Sequence, residues 1–183
     1  MIGNTLTVST WLLLCVATAG HCVEPMPSPV LQVADLGSTS RAHEFGGVLL
    51  ASQPGQADLA IARDRGIRTI ISLRLETEPT GFDERAEAAR LGMQYTSLPW
   101  HAPADLTDAV FDAARKLLSE TQRPFLLHCG SGNRVGAVWI PWRVLDGGVS
   151  YETALVEGKT IGLVTPEYEQ KAKDYVERRR AGS

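Results

Sequence analysis

The segment Phe125-Leu126-Leu127-His128-Cys129-Gly130-Ser131-Gly132-Asn133-Arg134-Val135-Gly136 constrains this chain more than any other. A short apolar run of strand length ends in His-Cys, crosses two glycines and enters a second apolar run of helical length. Both runs need cover, the strand inside a sheet and the helix in the layer against it. The same junction is suited to chemistry. Gly130 and Gly132 allow backbone angles that turn successive N–H groups inward. The helix N-terminus near Arg134 adds partial positive charge at that spot. A cysteine held there is expected to ionise more readily than a free thiol, since the thiolate accepts those N–H bonds. Arg134 offers a fixed fork of donors for a tetrahedral oxyanion. His128 either tunes the thiol or donates a hydrogen bond to a neighbouring loop.

Strand and helix patterns alternate along the rest of the chain. Val48 to Ser52 reads as a strand, Ala57 to Arg65 as a helix stopped by Gly66, and Thr69 to Leu73 as a β-branched strand covered on both faces. Phe82 to Leu91 reads as helical. Residues 105–120 place Leu106, Val110, Ala114 and Leu117 on one helical face, with Asp105 as N-cap and Asp108 three positions on. Val135 to Leu145 is apolar nearly all round, and Pro141 is expected to kink it or end its first segment. Tyr151 to Gly158 and Pro166 to Arg179 complete the helices, the last from a Thr165 cap. Alternation of this kind predicts an α/β fold of three layers, with a mostly parallel central sheet of four to five strands flanked by helices. Ligands in such folds bind beyond the carboxyl ends of the strands, where Cys129 falls.

The chain has 183 residues, of which 44% are hydrophobic and 21% charged, enough for one core of ordinary size. A net charge of −3 argues against a nucleic-acid partner. Residues 1–23 contain no Lys, Arg, Asp or Glu, and Trp11 to Ala17 form a compact apolar centre ahead of the A-x-A-like Ala17-Thr18-Ala19. We read 1–19 as a signal peptide, 20–44 as a Pro-containing lead segment and 45–180 as the folded domain. The expected location is periplasmic or secreted, with no stable membrane span after cleavage. Cys22, in the lead segment, reads as an unpaired cysteine rather than a partner for Cys129.

The segment around Cys129 resembles the signature loop of cysteine-dependent tyrosine and dual-specificity phosphatases, with His128, Cys129 and Gly132 in register. Arg134 arrives one residue early, and Val135 and Gly136 follow it where a hydroxyl residue is usual. The shorter Cys-x4-Arg spacing is similar to two other groups, the bacterial phosphatase-like family of beta-lactamase hydrolase-like proteins and the rhodanese sulfurtransferases. The Phe45–Pro54 stretch with its Ser52-Gln53-Pro54, the strand ending in Leu73-Arg74, and Gly92 to Pro99 resemble the phosphatase-like family in layout.

That resemblance implies a phosphomonoester hydrolase, phosphotyrosine among its candidate substrates, acting on a phosphorylated small molecule or protein. Cys129 would attack phosphorus to form a cysteinyl-phosphate. Gly130, Ser131, Gly132 and Asn133 with Arg134 would hold the oxygens. No cofactor is implied, and no residue spacing suggests a metal site. The general acid would come from the loop after the third strand, where Asp105 and His101 are both candidates. Asp105 is equally an N-cap, whereas His101 offers an imidazole, the side-chain type suited to proton transfer at neutral pH. Trp100 either stacks on an aromatic substrate or sits at the edge of the core. Two alternatives stay open: sulfur transfer through a Cys129 persulfide, and a non-catalytic oxyanion-binding module.

Overall fold

The computed structural model describes residues 29–182, so the signal-peptide reading of 1–19 and Cys22 lie outside the described residues. Six strands and six helices follow the predicted alternation: β1 (Gln32–Val33), β2 (Ala42–Phe45), β3 (Val48–Ala51), α1 (Gln56–Asp64), β4 (Thr69–Ser72), α2 (Glu84–Arg90), β5 (Gln94–Ser97), α3 (Asp108–Glu120), β6 (Phe125–His128), α4 (Asn133–Leu145), α5 (Tyr151–Ile161) and α6 (Pro166–Ala181). The sheet order is β1-β2-β3-β6-β4-β5. Its central part, β3-β6-β4-β5, is parallel, and β1 and β2 add antiparallel strands at one edge.

β1 and β2 begin ahead of residue 45 and bring the sheet of the described residues to six strands, of which four form the parallel part expected from the sequence. β1 has only two residues, and β2 carries His43 and Glu44, so neither has the apolar run that marks the central strands. Asp58 ties this upstream part to α1. Its carboxylate accepts from Ser38 N (2.9 Å), Ser38 Oγ (2.9 Å) and Thr39 Oγ1 (2.8 Å), and also from Gly55 N (2.9 Å) at the start of α1. Burial raises the Asp58 carboxyl, but these donors outweigh it and hold its pKa below the ordinary value.

Alternation along the strands sorts side chains between two layers. Val48, Leu50, Ile71, Leu73, Phe125, Leu127 and Cys129 belong to one core, shared with α3, α4, α5 and α6. Leu49, Ala51, Ile70 and Leu126 belong to the other, shared with α1 and α2. Every residue from Arg134 to Trp142 is buried, as the all-apolar pattern requires. The helix runs on through Pro141 and does not end there. Gly136 lets it approach α5: a Cβ there would overlap the Gly158 carbonyl oxygen. No helix of the described residues is long and apolar enough to cross a membrane.

Candidate active site

The parallel strands bring Ala51, Ser72 and His128 level with one another, and the loop after β6 rises from that edge. Cys129 N donates to Ala51 O (3.3 Å) and Leu73 N to His128 O (3.0 Å), which fixes where the loop leaves the sheet. Gln53 N donates to Gly130 O (3.1 Å) on its outer side. Gly132 has φ +90°, and a Cβ there would overlap the carbonyl oxygen of Ile161, so the position excludes every other residue. Its N–H donates to Cys129 Sγ at 3.2 Å. Gly130 keeps an ordinary negative-φ backbone; of the two glycines, only Gly132 uses the expected freedom. Among the described residues, the N–H groups of Gly130, Ser131, Asn133 and Arg134 find no acceptor, leaving a cluster of donors at the start of α4.

Asn133 contributes its backbone to this cluster while its side chain works elsewhere. Oδ1 accepts from Val164 N (2.9 Å) and Thr165 N (3.3 Å), and Nδ2 donates to Thr165 Oγ1 (2.7 Å). The Thr165 hydroxyl, expected to cap α6, is used here instead, and the residue leading into α6 is pinned to the loop.

Arg134 lies buried with its guanidinium oriented from behind. Nη1 donates to Leu73 O (3.0 Å), Trp100 O (2.9 Å) and Glu78 Oε1 (2.6 Å), and Nη2 to Glu78 Oε2 (2.6 Å). This leaves Nε–H and one Nη2 hydrogen on the edge toward Gly130, whose Cβ position is 3.5 Å from Nη2. Burial works against the Arg134 charge, but Glu78 and the adjacent Cys129 more than restore it. The hydrogen bonds from Arg134 hold the Glu78 carboxyl down at about 2 against burial.

Behind the loop, a polar network joins the sheet to α2. Arg74 donates to Gln53 Oε1 (2.5 Å), and Gln53 Nε2 donates to Glu84 Oε1 (3.0 Å). Tyr95 OH donates to Glu84 Oε2 (3.1 Å). His128 Nε2 lies 3.2 Å from Glu84 Oε1, at ion-pair distance though not aligned as a hydrogen bond. Burial raises the Glu84 carboxyl, and His128, Gln53 and Tyr95 together outweigh it. His128 therefore joins α2 on the opposite face from the Cys129 side chain and supports the loop from below. Gln53 and Arg74 thereby gain a physical role in the Ser-Gln-Pro and Leu-Arg motifs.

The loop from Trp100 to Asp105 flanks the site through the Arg134–Trp100 contact. Trp100 is core: it is 1% exposed and meets Tyr168 edge-to-face at 4.9 Å. Tyr168 OH donates to the His101 carbonyl and ties α6 to this loop. Burial pushes the Tyr168 hydroxyl up, Arg134 opposes this, and Asp105 and Cys129 reinforce it. Asp105 does not cap α3, which starts at Asp108 after Thr107. Its carboxylate instead accepts from Ala102 N (2.9 Å) and His101 N (3.1 Å), which together lower its pKa. The His101 side chain is exposed. Glu78 and Tyr168 carried no local sequence signal, because their partners lie 56 and 67 residues away.

Comparison with known proteins agrees with this architecture. The "Beta-lactamase hydrolase-like protein" of two Xylella fastidiosa strains, Temecula1 and 9a5c, is 30% identical over 102 residues, covering 54% of this chain and 23% of the relative. The chain thus matches under a quarter of those proteins' length. The crystal structure of P. aeruginosa TpbA superposes with a TM-score of 0.63 at 24% identity, covering 83% of this chain and 91% of that one. A cysteine-to-serine variant of TpbA in complex with pTyr gives 0.63 at 23% identity, covering 82% and 89%. Those two likenesses are of fold. Residues 46–143, from β3 through most of α4, match the family described as "Beta-lactamase hydrolase-like protein, phosphatase-like domain", and the chain belongs to that family.

Proposed function

We propose that this chain is a cysteine-dependent phosphatase that hydrolyses phosphomonoesters through a cysteinyl-phosphate. The observation that carries the reading is the pairing of two sets of donors around one thiol. Unsatisfied loop N–H groups and the free edge of Arg134 converge where Gly132 N–H already meets Cys129 Sγ. Such a cradle fits the equatorial oxygens of a phosphoryl group in transfer. The Cys129 thiolate attacks phosphorus, the ester oxygen leaves with a proton, and water then cleaves the S–P bond to release inorganic phosphate.

His101 is the proton donor in this reading, and Asp105 is its positioning residue. A carboxylate that accepts two backbone N–H bonds is favoured in its charged form and is a poor acid at neutral pH. The imidazole of His101 is exposed on a loop fixed by Arg134, Asp105 and Tyr168. Phosphotyrosine is the first substrate to examine, since a TpbA variant has been crystallised with it. Export belongs to the same reading and rests on the uncharged, apolar sequence of 1–19 alone.

The test is a trapping experiment. Brief exposure to an aryl phosphate, acid quench and peptide mapping are expected to place a phosphoryl group on Cys129. Phosphate release without that adduct, or its persistence in Cys129→Ser, overturns the mechanism.

A further inference from the structure

Arg41 stands immediately ahead of β2, upstream of the residues that match the family. Its Nη1 donates to Ser131 O at 3.2 Å, on the outer side of the loop. Its side chain fills the space beside two glycines: a Cβ on Gly162 would overlap Nη1, and one on Gly132 would lie 3.5 Å from Cδ. Arg41 is thereby held against the lip of the cradle while remaining exposed to solvent. Several exposed arginines are neutralised by a neighbouring carboxylate, Arg65 by Glu44, Arg85 by Glu76 and Arg178 by Asp108; Arg68 and Arg123 are not, but they lie against backbone carbonyls away from the loop. Among the described residues, no carboxylate pairs with Arg41. A fixed, uncompensated guanidinium next to an oxyanion cradle has donors left for a second anion.

We propose that Arg41 forms a second anion subsite, selecting substrates that carry another phosphate or carboxylate beside the scissile phosphate. This rests on the phosphatase reading for the word substrate but not for binding. A guanidinium can meet either group with two parallel N–H···O bonds, and the contact is charge-assisted. Because the subsite is exposed, its advantage is expected to shrink as salt rises.

Calorimetric titration of the full chain carrying Cys129→Ser tests the subsite without turnover. The probes are phenyl phosphate, meta-carboxyphenyl phosphate and resorcinol bisphosphate. The two doubly anionic probes are expected to bind about tenfold tighter than phenyl phosphate, beyond any statistical advantage of two phosphates. Tighter binding of only one of them identifies the second group as carboxylate or phosphate. Arg41→Ala is expected to abolish that preference. Arg41→Gln, whose amide can still donate to Ser131 O, is expected to abolish it too. Equal weakening of all three probes would make Arg41 a brace for the loop and overturn the proposal, as would a preference that survives in Arg41→Gln. Phosphate release is read separately with Cys129 in place. Its absence with the preference intact would remove the hydrolase reading and leave the subsite standing.

Discussion

Glu78 grips Arg134 through two parallel hydrogen bonds, Nη1 to Oε1 and Nη2 to Oε2, each 2.6 Å long. The pair fixes which edge of the guanidinium is available to an oxyanion. Glu78→Gln keeps the shape but removes the charge and one acceptor, and is expected to lower kcat/KM by about tenfold to a hundredfold. Steady-state kinetics on an aryl phosphate check this.

The same carboxylate makes stability depend on pH. Its pKa falls from an ordinary 4.5 to about 2 in the folded chain, so protonation in acid disfavours the native state. The contribution, roughly 3 kcal/mol, is fully present above about pH 4.5 and is lost as pH falls toward 2. Urea unfolding of the native chain and Glu78→Gln is expected to show the largest stability gap at neutral pH, closing on acidification. A gap that widens in acid would contradict the assignment.

Arg134→Lys is expected to reduce kcat/KM by about a hundredfold or more although charge is preserved. A lysine ammonium cannot serve Leu73 O, Trp100 O and both Glu78 oxygens while still offering two donors to the cradle. Near-native efficiency would remove the fork from the mechanism.

Gly132→Ala is expected to cost about 2 kcal/mol or more in stability, since it combines a +90° φ with overlap on Ile161 O. Thermal unfolding measures it, and an unchanged midpoint would contradict a left-handed backbone at Gly132.

The runs at 48–51, 69–72 and 125–128 were legible as strands because burial on both faces keeps them apolar except at the ends, where Thr69, Ser72 and His128 stand. The edge strands were not legible, because Gln32-Val33 and Ala42 to Phe45 depend on the Asp58 tie rather than on their own composition. Cys129, Gly132 and Arg134 stood out because a strand-to-helix loop places them by local spacing. Glu78 was hidden among the acidic residues of an irregular segment, and only the fold brings it to Arg134. Asp105 and His101 could not be separated from sequence, because what distinguishes them is two backbone N–H bonds to one carboxylate.

Those two bonds make the roles of the pair separable by leaving group. His101→Ala is expected to lose about a hundredfold with an alkyl phosphate and far less with an activated aryl phosphate, whose leaving oxygen needs no proton. Asp105→Asn, which retains an acceptor for both N–H groups, is expected to stay within about threefold on either substrate. The reverse pattern would make Asp105 the acid.

Whether Cys129 performs phosphoryl chemistry is decided by one paired assay of the native chain and Cys129→Ser. Each protein is given an aryl phosphate in one vessel and thiosulfate with cyanide in the other. The expected result is phosphate release that disappears with Cys129, and no thiocyanate. Cys129-dependent thiocyanate without phosphate release would contradict it and assign the thiol to sulfur transfer.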